Sequence, residues 1–153
     1  MSENERGKTT ILLADGHRLV RQGIRRIFDD EPDLEVVGEA DNGEDTVKLA
    51  RELKPDVIVM ETRMGKVDSV EATRRVKAHH PEAIVVILTA YDDEEHVRGM
   101  IRAGAGGCLL KSADGEQLVQ AIRLVRSGVF VSDPTVEERL LKHAGLLPPP
   151  QRL

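Results

Sequence analysis

Residues 53–64 read Leu-Lys-Pro-Asp-Val-Ile-Val-Met-Glu-Thr-Arg-Met. Pro55 blocks a helix through this segment. Val57-Ile58-Val59-Met60 is then an unbroken apolar run of strand length. It does not alternate with polar residues, which is the pattern of a strand covered on both faces. Glu61 ends the run, at the point where open α/β sheets gather their chemistry. Three other apolar runs end in the same way. Asp15 follows Ile11-Leu12-Leu13-Ala14, Thr89 follows Val85-Val86-Ile87-Leu88, and Lys111 follows Cys108-Leu109-Leu110. If these strands are parallel, two acids, a hydroxyl and an amine meet on one rim.

Outward from that stretch, apolar runs alternate with segments of helical period. The spacing predicts strands over Thr10–Ala14, Glu35–Gly38, Val57–Met60, Ile84–Leu88 and Cys108–Leu110. In the first intervening helix Leu19, Val20, Ile24, Ile27 and Phe28 form the apolar stripe, and Pro32 stops it. Arg18, Arg21, Arg25 and Arg26 lie mostly off that stripe and read as a solvated face or a partner surface. The second helix runs over Glu44–Leu53, with Asn42-Gly43 as turn and cap. The third runs over Ser69–His79, capped by Asp68 or Ser69, the fourth over Glu94–Ala103, and the fifth over Glu116–Arg126. Alternating units of this kind imply a parallel sheet with right-handed crossovers and helices on both faces. Val129-Phe130-Val131 reads as a short extended piece. Pro134 opens a sixth helix to His143, with Val136, Leu140, Leu141 and Ala144 as its stripe. Residues 146–153 read as a Pro-rich linker.

The bulk composition agrees. The chain has 153 residues, 40% of them apolar but only 2% aromatic, so its core is aliphatic. The net charge of −5 gives no basic field for nucleic acid. A single cysteine excludes an intrachain disulfide framework and suits a reducing cytosol. No apolar stretch approaches the roughly 20 residues of a membrane span. A cytoplasmic protein without membrane contact is expected.

Five blocks resemble the receiver domain of two-component response regulators, most closely the NarL/FixJ-type subfamily with a C-terminal LuxR-type helix-turn-helix. They are ILLADGHRLVRQGI (11–24), EVVGEADNGEDTVKLA (35–50), LKPDVIVMETRM (53–64), VDSVEATRRVK (67–77) and VVILTAYDDEEHVRGMIRAGAGGCLLK (85–111). The resemblance implies a flavodoxin-like (βα)5 fold, a CheY-like three-layer sandwich with sheet order 2-1-3-4-5, plus a C-terminal linker helix. It implies a disordered N-terminus (1–8), a receiver domain (9–131) and a linker (132–153) leading to an absent DNA-binding domain. In that family a histidine kinase phosphorylates an Asp after the third strand, and paired acids after the first strand help to hold Mg²⁺. Asp15 matches the first acid, Thr89 the switch hydroxyl and Lys111 the switch amine.

Two positions depart from the pattern. Gly16 stands in place of the second acid, and Glu61 in place of the phosphoacceptor Asp. Gly65-Lys66 replaces a Pro-Gly turn, and Cys108 replaces an aromatic switch residue. Glu61 moves its carboxylate out by one methylene, about 1.5 Å, and a misplacement of ~1 Å can cost about 10²-fold in rate. Loss of Gly16's acid weakens an octahedral oxygen site. Asp15 and Glu61 therefore keep only residual metal-binding capacity, and no cofactor is expected. Glu61 instead reaches towards Lys111 and Thr89, partly imitating a phosphoryl group. An engineered Asp-to-Glu change is a competing origin for Glu61, against which Gly16 and Gly65-Lys66 weigh.

Other polar residues read more plainly. His17 is a solvated loop residue able to contact a ligand. His79-His80 do not share a helix face, His96 and His143 are surface residues, and Asp92-Asp93-Glu94-Glu95 supplies acids to a helix start. The function expected is a phosphorylation-independent receiver in two-component or phosphorelay signalling and transcription regulation, non-enzymatic and homodimeric. A histidine kinase is a possible partner, and DNA is reached only through a further domain. A stand-alone partner-binding receiver is the alternative. A flavodoxin-like cofactor protein is a third reading, though GxGxxG, P-loop and flavin-stacking aromatics are all missing.

Overall fold

The structure, a computed structural model, describes residues 7–90 and 93–143, with 139–143 described by backbone alone. The expectations for residues 1–6, Asp92 and residues 144–153 lie outside the described residues, as do those for the side chains of Leu140, Leu141 and His143. The elements run β1 (Thr9–Ala14), α1 (Arg18–Asp29), β2 (Leu34–Ala40), α2 (Gly43–Leu53), β3 (Val57–Glu61) and α3 (Ser69–His79). They continue with β4 (Ile84–Thr89), α4 (Glu94–Arg102), β5 (Gly107–Leu110), α5 (Gly115–Arg126), β6 (Val131–Ser132) and α6 (Pro134–His143). All strand pairs are parallel, in the order β2-β1-β3-β4-β5-β6. The flavodoxin-like order 2-1-3-4-5 is thus present, extended by one strand. The extended piece after α5 supplies that sixth strand. Its Val131 and Ser132 pair with Gly107 and Cys108, and the Asp133 amide donates to the Cys108 carbonyl at 3.0 Å.

The unbroken apolar runs are explained by two cores. Strand side chains alternate between faces. Ile11, Leu13, Val57, Val59, Val86 and Leu88 face one layer with Phe28, Leu118 and Ile122. Leu12, Ile58, Met60, Val85 and Ile87 face the other with Ala72, Val76, Val97 and Met100. Each fully buried aliphatic side chain contributes roughly 1.5–3 kcal/mol of transfer free energy. The α1 stripe needs one correction: Leu19 is 82% exposed, whereas Phe28 is fully buried. Leu19 sits in the first turn of α1, and the stripe reaches the core only further along.

Local caps fix the helices that frame the rim. Asn42 accepts from the Asp45 amide at 2.8 Å, Asp68 from the Val70 amide at 2.7 Å, and Asp114 forms a reciprocal capping box with Gln117. The loop after β3 is tied to the start of α2. Asn42 bridges Gly65, and the Gly43 amide donates to the Gly65 carbonyl at 3.1 Å. At Gly43 an added Cβ would lie 1.9 Å from the Val67 carbonyl oxygen, so only glycine allows this crossing. The turn that replaces Pro-Gly places Lys66, not glycine, in the left-handed region, with φ of 64°.

Candidate functional site

Strand register places the four polar residues on one rim. Ala14 lies opposite Met60, Glu61 opposite Leu88, and Thr89 opposite Leu110, so Asp15, Glu61, Thr89 and Lys111 emerge together. Asp15 and Glu61 are 2% and 4% exposed. Two buried carboxylates side by side require cationic or hydrogen-bond compensation. Lys111 supplies charge to both, with Nζ 2.6 Å from Glu61 Oε2 and 3.1 Å from Asp15 Oδ2. Backbone amides take the other two oxygens. The Gly16 amide donates to Glu61 Oε1 at 2.7 Å, and the His17 amide to Asp15 Oδ1 at 2.8 Å. Asp15 Oδ2 has no hydrogen-bond donor, so the Lys111 charge compensates it without a well-aligned bond.

The titration of the cluster follows from these contacts. Burial pushes the Asp15 carboxyl up, but the His17 amide and the Lys111 ammonium outweigh it and hold it below its ordinary value. Burial pulls Lys111 down, but the Glu61 and Asp15 carboxylates outweigh that and hold it above its ordinary value. Both shifts favour the charged forms of Asp15 and Lys111.

Not every expected contact forms. Glu61 reaches Lys111 but not Thr89, whose hydroxyl donates to the Ala90 carbonyl at 2.6 Å. The methylene added by Glu61 carries its second oxygen towards the Gly16 amide instead. A Cβ at Gly16 would lie 3.4 Å from Glu61 Oε1, so a side chain there would crowd the carboxylate. Gly16 and Glu61 are thus complementary in space. Cys108 is fully buried beneath this rim, and burial pushes its thiol far above the ordinary range.

His17 is 70% exposed at its side chain, as a loop residue should be, yet its Nδ1 lies 3.2 Å from Asp15 Oδ1 and 3.8 Å from Glu61 Oε1. Only its position two residues after a rim acid signals this. Arg21 is less solvated than its row suggested. Its Nη1 donates to the Asp15 carbonyl at 2.7 Å, and its Nε pairs with Glu39 at 3.0 Å. His96 is also more than a surface residue. Its Nδ1 lies 2.8 Å from Asp93 Oδ1, and its Nε2 lies 3.6 Å from Asp68 Oδ2. It therefore ties the starts of α3 and α4 together beside the rim. His79 Nε2 meets Arg51 Nη2 at 2.6 Å.

The Mg²⁺ implied by the resemblance does not fit this donor set well. Mg²⁺ demands near-ideal octahedral oxygen coordination. Gly16 has no side-chain oxygen to offer, Lys111 engages one oxygen of each acid, and the third donor facing them is the His17 nitrogen.

The response regulator receiver domain family matches residues 11–123. The transcriptional regulatory protein DegU of Brevibacillus brevis is 39% identical over 135 residues, covering 88% of this chain and 57% of DegU. The response regulator GacA of Pseudomonas viridiflava is 42% identical over 130 residues, covering 85% of this chain and 61% of GacA. This chain therefore spans about three fifths of the length of those relatives. A LuxR-family two-component response regulator from Aurantimonas superposes with a TM-score of 0.80 at 31% identity, over 88% of this chain and 96% of that one. The receiver domain of a NarL regulator from Mycobacterium tuberculosis does so with a TM-score of 0.74 at 29% identity, over 79% of this chain and 98% of that one. Fold, rim and these likenesses agree that the chain belongs to the response regulator receiver domain family.

Proposed function

We propose that this chain is a receiver module of two-component signalling that works without the usual phosphoryl switch. One observation carries the reading: Glu61 accepts from the Lys111 ammonium through one oxygen and from the Gly16 amide through the other, so its charge is already neutralised from within. Phosphoryl transfer in such a site depends on positioning and on stabilising developing charge. A nucleophile held in an internal ion pair, without the second acid, satisfies neither requirement. Because Thr89 stays on the Ala90 carbonyl, Glu61 occupies the amine without engaging the hydroxyl. That favours a locked site over a full imitation of the phosphorylated state.

In this reading residues 9–131 form the signalling unit, and residues 132–153 lead to an effector domain that regulates transcription. The relatives' greater length and their names as regulators support such an effector. State passes by homodimerisation or by contact with that effector, and a histidine kinase is at most a docking partner. Among the described residues no helix is long and apolar enough to cross a membrane, in keeping with a cytoplasmic location.

Incubation with a small phosphodonor and Mg²⁺, followed by intact mass, tests the proposal. An unmodified mass is expected. A stable phosphoryl adduct on Glu61 would overturn it.

A further inference from the structure

Helices α2 and α3 start beside the rim and end at the opposite end of the strands, where their last turns enclose a cleft. Buried Ala50 and Val76 give it an apolar wall, and Arg51, Lys54, Arg75, His79 and His80 line the rest. Every ionisable residue of the lining is basic, in a chain whose net charge is −5. We propose that this cleft binds a phosphate-type oxyanion, held chiefly by Arg51, Lys54 and the His79 ring.

Its size fits. The cleft measures about 50 Å³, and one water needs about 10–15 Å³. Room for about three to five water-sized atoms is the bulk of one tetrahedral oxyanion. The charge fits as well. The C-terminal ends of α2 and α3 contribute roughly half a negative charge each. Glu71 takes part of Arg75, with Oε2 2.9 Å from Nε. Arg51, Lys54 and Arg75 together outweigh these, so the cleft keeps a positive field.

The cations also lack acids. Among the described residues Arg51, Lys54 and His80 have no carboxylate within ion-pair distance. Arg51 Nη2 instead meets His79 Nε2 at 2.6 Å. Both atoms are nitrogens, so the imidazole accepts here only in its neutral form. A guanidinium carries five N–H groups, and this contact uses one. An oxyanion beside the pair accepts from the guanidinium and from a protonated ring together, through charge-assisted bonds.

The backbone adds an independent sign. Lys54 caps α2 in the left-handed region, with φ of 47°. Glycine is the usual residue at such a cap because it has no Cβ to clash. Lysine takes on that steric cost and adds a cation to the cleft. A carboxylate carries one charge on a planar group, whereas several converging cations suit a tetrahedral dianion better.

The test is titration of the whole chain with inorganic phosphate, and with glycerol phosphate as a phosphomonoester, at fixed ionic strength, followed by backbone amide NMR shifts. Saturable shifts confined to the ends of α2 and α3 are expected, with acetate producing none. The tighter of the two ligands tells a free anion from an esterified one as the natural form. Losing one charge-assisted contact costs about tenfold or more in affinity, so Arg51→Gln and Lys54→Gly should each weaken binding by about that factor. Both residues are exposed, so both variants should fold, as circular dichroism would check. Lys54→Gly also separates the two roles of this position: glycine suits the left-handed cap, so Tm should not fall while binding does. Arg26→Gln, the same change of charge on exposed α1, should leave binding unchanged. Shifts that do not saturate, that fall on the rim or scatter over the surface, that acetate reproduces, or that persist in Arg51→Gln and Lys54→Gly would overturn the proposal. The cleft lies at the far end of β3 from Glu61 and the titration contains no phosphodonor, so its outcome is independent of whether Glu61 accepts a phosphoryl group.

Discussion

Lys111→Met removes the one ammonium between two buried acids while keeping most of the side-chain volume. Nζ lies 2.6 Å from Glu61 Oε2 and 3.1 Å from Asp15 Oδ2. At an effective dielectric constant near 20, those separations correspond to gross attractions of about 6 and about 5 kcal/mol. Desolvation of three ions offsets much of this. Removing one partner of a buried pair typically costs about 3–5 kcal/mol, because a bare charge remains. Lys111 keeps 25% of its side chain in water, so screening places the expected loss at the low end, about 3 kcal/mol at pH 7. For a domain of this size that lowers Tm by about 6–12 °C.

The loss should also depend on pH. Asp15 is held below its ordinary value, so its stabilisation exists above the usual carboxylate range and disappears as pH falls through the lowered value. Lys111 is held above its ordinary value, so its share persists through neutral pH and disappears as pH rises through the raised value. In Lys111→Met the two acids repel, which favours protonation of one. The penalty is then full at neutral pH and shrinks as pH falls into the carboxylate range. Urea unfolding at pH 7 and at about pH 4 measures both gaps. Adding Glu61→Gln to Lys111→Met should recover about 1 kcal/mol or more, through the removed repulsion. A gap below about 1 kcal/mol at pH 7, or one that stays constant towards acid, would refute the ion-pair account.

Two glycines near the rim should respond to different degrees. Gly43→Ala places a Cβ 1.9 Å from a backbone oxygen of Val67 and should cost about 2–3 kcal/mol or more by thermal unfolding. Gly16→Ala places one 3.4 Å from the end of a flexible Glu61 side chain and should cost less than about 1 kcal/mol; equal losses would contradict the crossing at Gly43. Cys108 is fully buried with its thiol pushed strongly up, so maleimide labelling should track unfolding in denaturant. Rapid labelling of the native chain would contradict its burial in β5, beside β6.

The sheet and rim were legible because strand period and burial are local properties. Unbroken runs such as Val57–Met60 announced two covered faces, and the residue ending each run announced the rim. Gly65-Lys66 and Asn42-Gly43 were legible as turns, but their crossing was not, since it pairs backbones distant in sequence. β6 was missed because two residues carry too little periodicity to separate a strand from a loop. The contact of Glu61 with the Gly16 amide could not be read either. One methylene fixes the reach of a side chain but not which donor it meets. His17 and His96 were read as solvated because sequence shows exposure tendencies better than the acids that converge on a ring.

The division of each central strand between two cores also constrains how the family's chemistry can change. In β3, Val57 and Val59 serve one layer while Ile58 and Met60 serve the other. Inserting or deleting one residue there would exchange the layers and carry Glu61 off the rim. Point substitution at the last residue of a strand has no such effect. An insertion or deletion within the strand is therefore costly to both cores, while a substitution at its end leaves both in place. Glu61 stands at such an end and Gly16 just beyond one, where the residue type can change while the scaffold that aims it is kept.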